Sequence, residues 1–253
     1  MRAKYSFGVV VVLLFVSPLI AFAQHSHPSS GAGAAQAARR EAGAPAPNSG
    51  PGAVAQSVAL DPRKGQEIGS VFEAFLSPHQ EPGEESDTPA STPKQFKSTA
   101  PSVPRSERTG RGHGVLRFAN DLSKVYVEVR VENINPKDVN MFHIHCGRPD
   151  MLGPILVDFA VTGNIQQNLA DGVFSVELTD ADIVKTTQAG HGVTGEFLVG
   201  CPIVPGLRDK VKTIAGMEHI ARQGELYFNL HTYGQTYYGY MRGQVRPRVS
   251  SAK

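Results

Sequence analysis

The chain's clearest chemical signal is two histidines set two residues apart. Met141-Phe142-His143-Ile144-His145-Cys146 alternates like a strand, and residues two apart on a strand point to one face. His143 and His145 therefore project together, while Phe142, Ile144 and Cys146 point the other way. A third histidine lies in Leu226-Tyr227-Phe228-Asn229-Leu230-His231-Thr232. There Phe228 and Leu230 share one face, and Tyr227, Asn229 and His231 share the opposite one. With the apolar faces in a core, all three histidines lie on the non-core face of a sheet. Three imidazoles on adjacent strands suit copper or zinc with an open fourth position. The same rings equally suit a polar network that orders this face, since Glu128, Asn229 and Tyr240 share the parity. Arg242 and Gln244 belong to that network or to a partner face. Strand adjacency, which separates the two readings, is not written in the alternation. Nucleophilic catalysis finds no support: there is no Gly-x-Ser-x-Gly elbow and no glycine-rich phosphate loop before a helix.

The elements that must position these residues begin well into the chain. Arg2 and Lys4, the apolar run Phe7–Ile20 and the small residues of Ala21-Phe22-Ala23 read as a secretory signal over residues 1–23. No later stretch is apolar enough to span a bilayer, and the expectation is an exported protein, secreted or periplasmic, without a transmembrane anchor. Residues 24–65 are rich in Ala, Gly, Pro, Ser and Gln, bury too little to offset ordering entropy, and read as a disordered linker. The formal net charge of +2 is too small to argue for nucleic acid. Two cysteines in an exported chain predict one disulfide, Cys146–Cys201. Cys146 has the wrong parity to join the histidines on their face.

Short alternating strands follow at Val71–Leu76, Val115–Phe118, Val125–Val131, Pro154–Phe159, Val173–Leu178, Glu196–Val199, Glu225–Thr232 and Tyr238–Arg246. Lys212–Arg222 carries Ile214, Met217 and Ile220 at helical spacing. The pattern predicts an all-β fold: an antiparallel, Greek-key-like sandwich or barrel with one short helix. Residues 66–248 give a length suited to one core, with 84–109 as a polar, proline-rich insertion and 249–253 as a tail.

Several segments together resemble a known family. Phe142-His143-Ile144-His145-Cys146-Gly147 followed by Gly153-Pro154-Ile155-Leu156-Val157-Asp158 is similar to the His-Ile-His-x-Gly … Gly-Pro-Val centre of the CHRD, or chordin-type, domain. Gly224–Thr232 resembles that family's Gly-x-Tyr-x-Asn-x-His-Thr strand. Arg242-Gly243-Gln244 resembles its terminal Arg-Gly-Gln, and Gln80-Glu81-Pro82 its first turn. The acidic residue that precedes Arg-Gly-Gln in the family is absent from Tyr237-Tyr238-Gly239-Tyr240-Met241, and residues 187–211 are longer than the pattern. The resemblance implies a non-enzymatic extracellular binding or structural module, with an extracellular protein or a cell-wall or matrix polymer as partner and no certain cofactor. A weaker physical likeness is to Cu/Zn superoxide dismutase, whose His-x-His strand faces copper. It gives the alternative of a copper- or zinc-dependent redox protein using His143, His145 and His231. The histidine cluster of a dismutase zinc half is missing from residues 146–171.

Overall fold

The structure, a computed structural model, describes residues 66–190, 198–203 and 209–249. The signal at 1–23, the linker at 24–65 and all of the tail but Val249 lie outside the described residues, as does the first half of the run at Glu196–Val199. Among the described residues the alternating segments form two antiparallel sheets. The first has the order β6-β3-β2-β1-β9 and the second β5-β4-β7-β8. The strands are β1 Ile68–Leu76, β2 Arg111–Ala119, β3 Lys124–Glu132, β4 Val139–Cys146, β5 Ile155–Asp158, β6 Val173–Thr179, β7 Leu226–Thr232, β8 Met241–Gln244 and β9 Arg246–Pro247. The strand expected over Tyr238–Arg246 is thus two short ones, in different sheets. Val245 between them is fully buried, and the chain crosses there from one sheet to the other.

β3 shows why these residues make strands. Val125, Val127, Val129 and Val131 are buried, whereas Tyr126, Glu128 and Arg130 are only half-buried. The two inner faces pack around an aromatic centre in which Phe142 lies 4.9 Å from Phe159, 5.2 Å from Phe174 and 6.0 Å from Phe228, ring to ring. Edge-to-face and offset pairs of this kind add to area burial. β1 contributes Phe72, Ala74 and Leu76, the inward set expected from its alternation.

Among the described residues three α-helices appear where the sequence suggested one: α1 Ile165–Asn168, α2 Asp180–Ala189 and α3 Ile214–Arg222. α3 is the expected helix, started by Thr213, whose side chain accepts from the Gly216 N–H at 3.1 Å. α2 buries only Ile183 and Thr186, so it lacks the apolar stripe that would have announced it. A capping box starts it: the Thr179 side chain caps the first turn, and the Asp182 carboxylate accepts from the Thr179 N–H at 2.9 Å. Among the described residues no helix is long and apolar enough to cross a membrane.

The two sheets differ in how they meet solvent. Every residue of β7 and β8 is buried on both faces. Their outer face is covered by chain, from the 84–109 excursion and from the segment between β4 and β5. The three histidines therefore lie on the non-core face but not on an open one.

Candidate metal centre

β4 pairs antiparallel with β7 in the register Met141↔His231, His143↔Asn229 and His145↔Tyr227. β5 flanks β4 with Asp158 opposite His143, and β8 flanks β7 with Arg242 opposite Asn229. Adjacency, together with the parity read from the sequence, brings the three rings together. One ring nitrogen from each of His143, His145 and His231 lies within 4.8 Å of those of the other two. The rings are 3%, 8% and 4% exposed.

His145 and His231 each use one nitrogen for a hydrogen bond to the protein. His145 Nδ1 is 2.8 Å from the Gly153 carbonyl, and His231 Nδ1 is 3.0 Å from the Thr236 carbonyl. A carbonyl only accepts, so both Nδ1 atoms carry hydrogen and both Nε2 atoms keep a lone pair. His143 Nε2 lies 3.6 Å from the Asp158 carboxylate. The remaining atoms, His143 Nδ1, His145 Nε2 and His231 Nε2, are buried without a hydrogen-bond partner. Buried polar atoms without partners are uncommon and ask for an explanation. One nitrogen tied to a backbone carbonyl with the other left bare, as in His145 and His231, is the outer-shell arrangement of metal-bound histidine.

The electrostatics keep the rings neutral. Burial pushes His143 well below the usual imidazole range, helped by the neighbouring His231 and His145. Burial likewise lowers His145 to about 3 and His231 to about 4, against the opposing pull of their carbonyl partners. Neutral imidazole is the form that binds a metal without first releasing a proton.

A family model for the CHRD domain matches residues 94–245. The chain belongs to the CHRD family. No curated protein and no solved structure matches it. The match begins inside the 84–109 excursion, and β1, which precedes it, pairs with β2 from Ile68 to Leu76.

The other motif residues of this CHRD domain build the wall behind the histidines. The Tyr227 ring stacks on His145 at 4.9 Å and 8°. The Arg242 guanidinium sits 3.4 Å from the centre of the Tyr227 ring. Arg242 donates to the carbonyls of Met151 and Arg148, each at 2.7 Å, and to Gln244 Oε1 at 3.0 Å. The Gln244 amide donates to the carbonyls of Gly147 and Gly224 at 2.9 and 2.8 Å. The Gly153 N–H donates to the Tyr227 hydroxyl at 3.0 Å. These bonds fix the β4–β5 loop, whose Gly153 carbonyl in turn orients His145. Position 153 has to be glycine, because a Cβ there would lie 1.6 Å from the Cys146 carbonyl oxygen.

The predicted disulfide is present. Cys146 at the end of β4 joins Cys201, with Cα atoms 6.1 Å apart, and the two enclose a sequence separation of 55. Next to Cys201, Val199 bridges Ile155 in β5. The bond thus ties to β4 a segment whose Leu198 and Val199 line the histidine cavity, whose volume is about 480 Å³ and whose walls also include Phe96, Leu152, Ile155 and Tyr237.

The remaining expected residues divide. Asn229 lies beside the cluster and donates to the Tyr238 carbonyl at 3.2 Å. Tyr240 turns away, its hydroxyl accepting from the Gly110 N–H at 3.3 Å. Glu128 is not on this face at all. It sits on β3 in the other sheet, ion-paired with Arg117 at 3.7 Å and Arg130 at 3.4 Å. Parity gave its direction within its strand but not which sheet held that strand.

Three residues that matter here were not singled out. Asp158 stood in the sequence only as the end of the Gly153–Asp158 motif, although its place between the apolar Val157 and Phe159 already aimed it away from the core. Glu85 accepts from the N–H groups of Tyr237 and Tyr238 and from Ser98 Oγ, and so holds the turn that carries the Thr236 carbonyl. Glu81 is 2% exposed, has no partner on either oxygen, and lies by Asn229 around Gly239. A Gly239 Cβ would be 2.1 Å from Asn229 Oδ1 and 3.0 Å from Glu81 Oε1.

Proposed function

We propose that this chain is an exported CHRD module that binds one copper or zinc ion through His143, His145 and His231. The observation that carries the reading is the set of three buried ring nitrogens without partners, one from each histidine, in a cluster whose ligand atoms lie within 4.8 Å of one another. A purely polar network would have used those atoms for protein hydrogen bonds. Export is supported by the signal-like residues 1–23 and by the disulfide, which suits an oxidising compartment. In this reading residues 24–65 form a tether, and 66–248 form the folded module with 84–109 as an insertion over the site. Its partner is an extracellular protein or polymer.

The metal reading carries no dismutase chemistry with it. The residues after β4 contribute Asp158, which faces His143, and no histidine through residue 171. A bound ion would serve ligand binding or structure, with the three histidines leaving a fourth position for a further donor.

The test is metal content after dialysis of the mature chain against copper or zinc. Wild type is expected to retain one ion per chain and His145→Ala to retain none. Wild type that holds neither metal above background would return the site to a hydrogen-bonded network.

A further inference from the structure

The ligand set does not end with the three histidines. On β4 the alternation that pairs His143 with His145 also places Met141 on their face, since Phe142 and Ile144 are wholly buried in the core. Across the ladder Met141 is the direct partner of His231. Residues so paired have side chains starting about 5 Å apart, and the next same-face neighbour along a strand is about 6.6 Å away. Met141 thus has His231 and His143 as immediate neighbours, and it lines the same cavity as all three histidines.

Most other polar groups around that cavity are already engaged; Asn229 Oδ1, a hard oxygen that lies against Gly239, is buried without a partner. The Tyr227 hydroxyl accepts from the Gly153 N–H, and the Asn229 amide donates to the Tyr238 carbonyl. Asp158 accepts from the Ala160 N–H and faces the Nε2 of His143, the nitrogen on the side away from the bare Nδ1. The Met141 thioether has no such commitment. Its unbranched chain reaches into irregular space, and its sulfur is soft.

We propose, resting on the three-histidine reading above, that Met141 supplies the fourth ligand and makes the site selective for cuprous copper. Thioether sulfur selects Cu(I) over zinc, whereas imidazole alone accepts either. Charge points the same way. The proposed ligands are all neutral, the site is buried, and the Arg242 guanidinium stands behind His145 through the Tyr227 ring. With no anionic ligand, a buried monovalent ion costs less than a divalent one.

The experiment uses the mature, disulfide-bonded chain. Ascorbate keeps copper reduced and spares the disulfide, and a chromophoric Cu(I) chelator supplies the competition. Zinc affinity is measured in parallel on wild type, Met141→Leu and His145→Ala. Leucine conserves volume and tests the sulfur alone, and matching apo melting curves establish that the variant folds. Met141→Leu is expected to weaken Cu(I) by about tenfold or more while zinc changes by less than about twofold. X-ray absorption at the copper edge is expected to show a sulfur neighbour in wild type and none in Met141→Leu. Unchanged Cu(I) affinity in Met141→Leu, or a copper shell of nitrogen alone in wild type, overturns the thioether ligand and leaves the histidine site standing. Failure of wild type to bind either metal overturns both.

Discussion

A buried histidine must find a use for two ring nitrogens, and here each of three rings leaves one buried without a partner. That argument lives on single atoms, and so do its tests. Gly153 holds His145 through its carbonyl and has a backbone oxygen where a side chain would begin. Gly153→Ala is therefore expected to destabilise the fold by about 2–4 kcal/mol, read from urea unfolding. Glu81 makes a second residue-scale prediction. Burial raises its carboxyl from 4.5 to about 8, against the opposing pull of Arg242, Arg108 and Arg105. The folded state then holds a proton that the unfolded state releases above 4.5. The stability this contributes is fully present below 4.5 and is lost as pH rises through about 8. Unfolding at steps across that window should show wild type weakening with pH. Glu81→Gln, which cannot ionise, should lose most of that slope. A slope equal in both would remove Glu81 from the account.

Elements decide which residues the sequence could assign. The faces of β3, β4 and β7 were legible because the core side of each strand carries apolar residues that a one-residue slip would turn away from the core. The meeting of β4 with β7 was not legible, since alternation carries no information about neighbours. Glu128 shows the consequence: its parity was readable, yet β3 lies in the other sheet. α2 stayed hidden for a related reason. It buries two residues, one of them Thr186, whose hydroxyl accepts from the Asp158 N–H at 3.1 Å instead of filling an apolar stripe. The 84–109 excursion read as a polar insertion, and its contact with the site rests on Glu85, Phe96 and Ser98, which carry no periodic signal. Glu85→Ala should free the turn at Tyr237 and Tyr238, loosen the Thr236 carbonyl behind His231, and lower metal affinity about tenfold. Equilibrium competition would measure it. Unchanged affinity in a folded variant would show that the excursion only covers the site.

At the scale of the whole molecule, a sandwich closed by one disulfide offers a rigid frame for a site on its second sheet. Closing the loop between Cys146 and Cys201 is worth about 4 kcal/mol in the chain-entropy model. Reduction should lower the melting temperature, and it should also weaken metal binding, because the bond ends next to His145. A reduced protein that melts lower but binds metal unchanged would confine the disulfide to stability. The central claim, that three histidines converge on one ion, is tested most directly by anomalous diffraction at the copper edge from crystals of the copper-loaded protein. The account predicts a single peak at bonding distance, about 2.0–2.1 Å, from His143 Nδ1, His145 Nε2 and His231 Nε2. The contradicting result is the absence of a peak among these atoms, with each bare nitrogen instead hydrogen-bonded to a protein group or an ordered water.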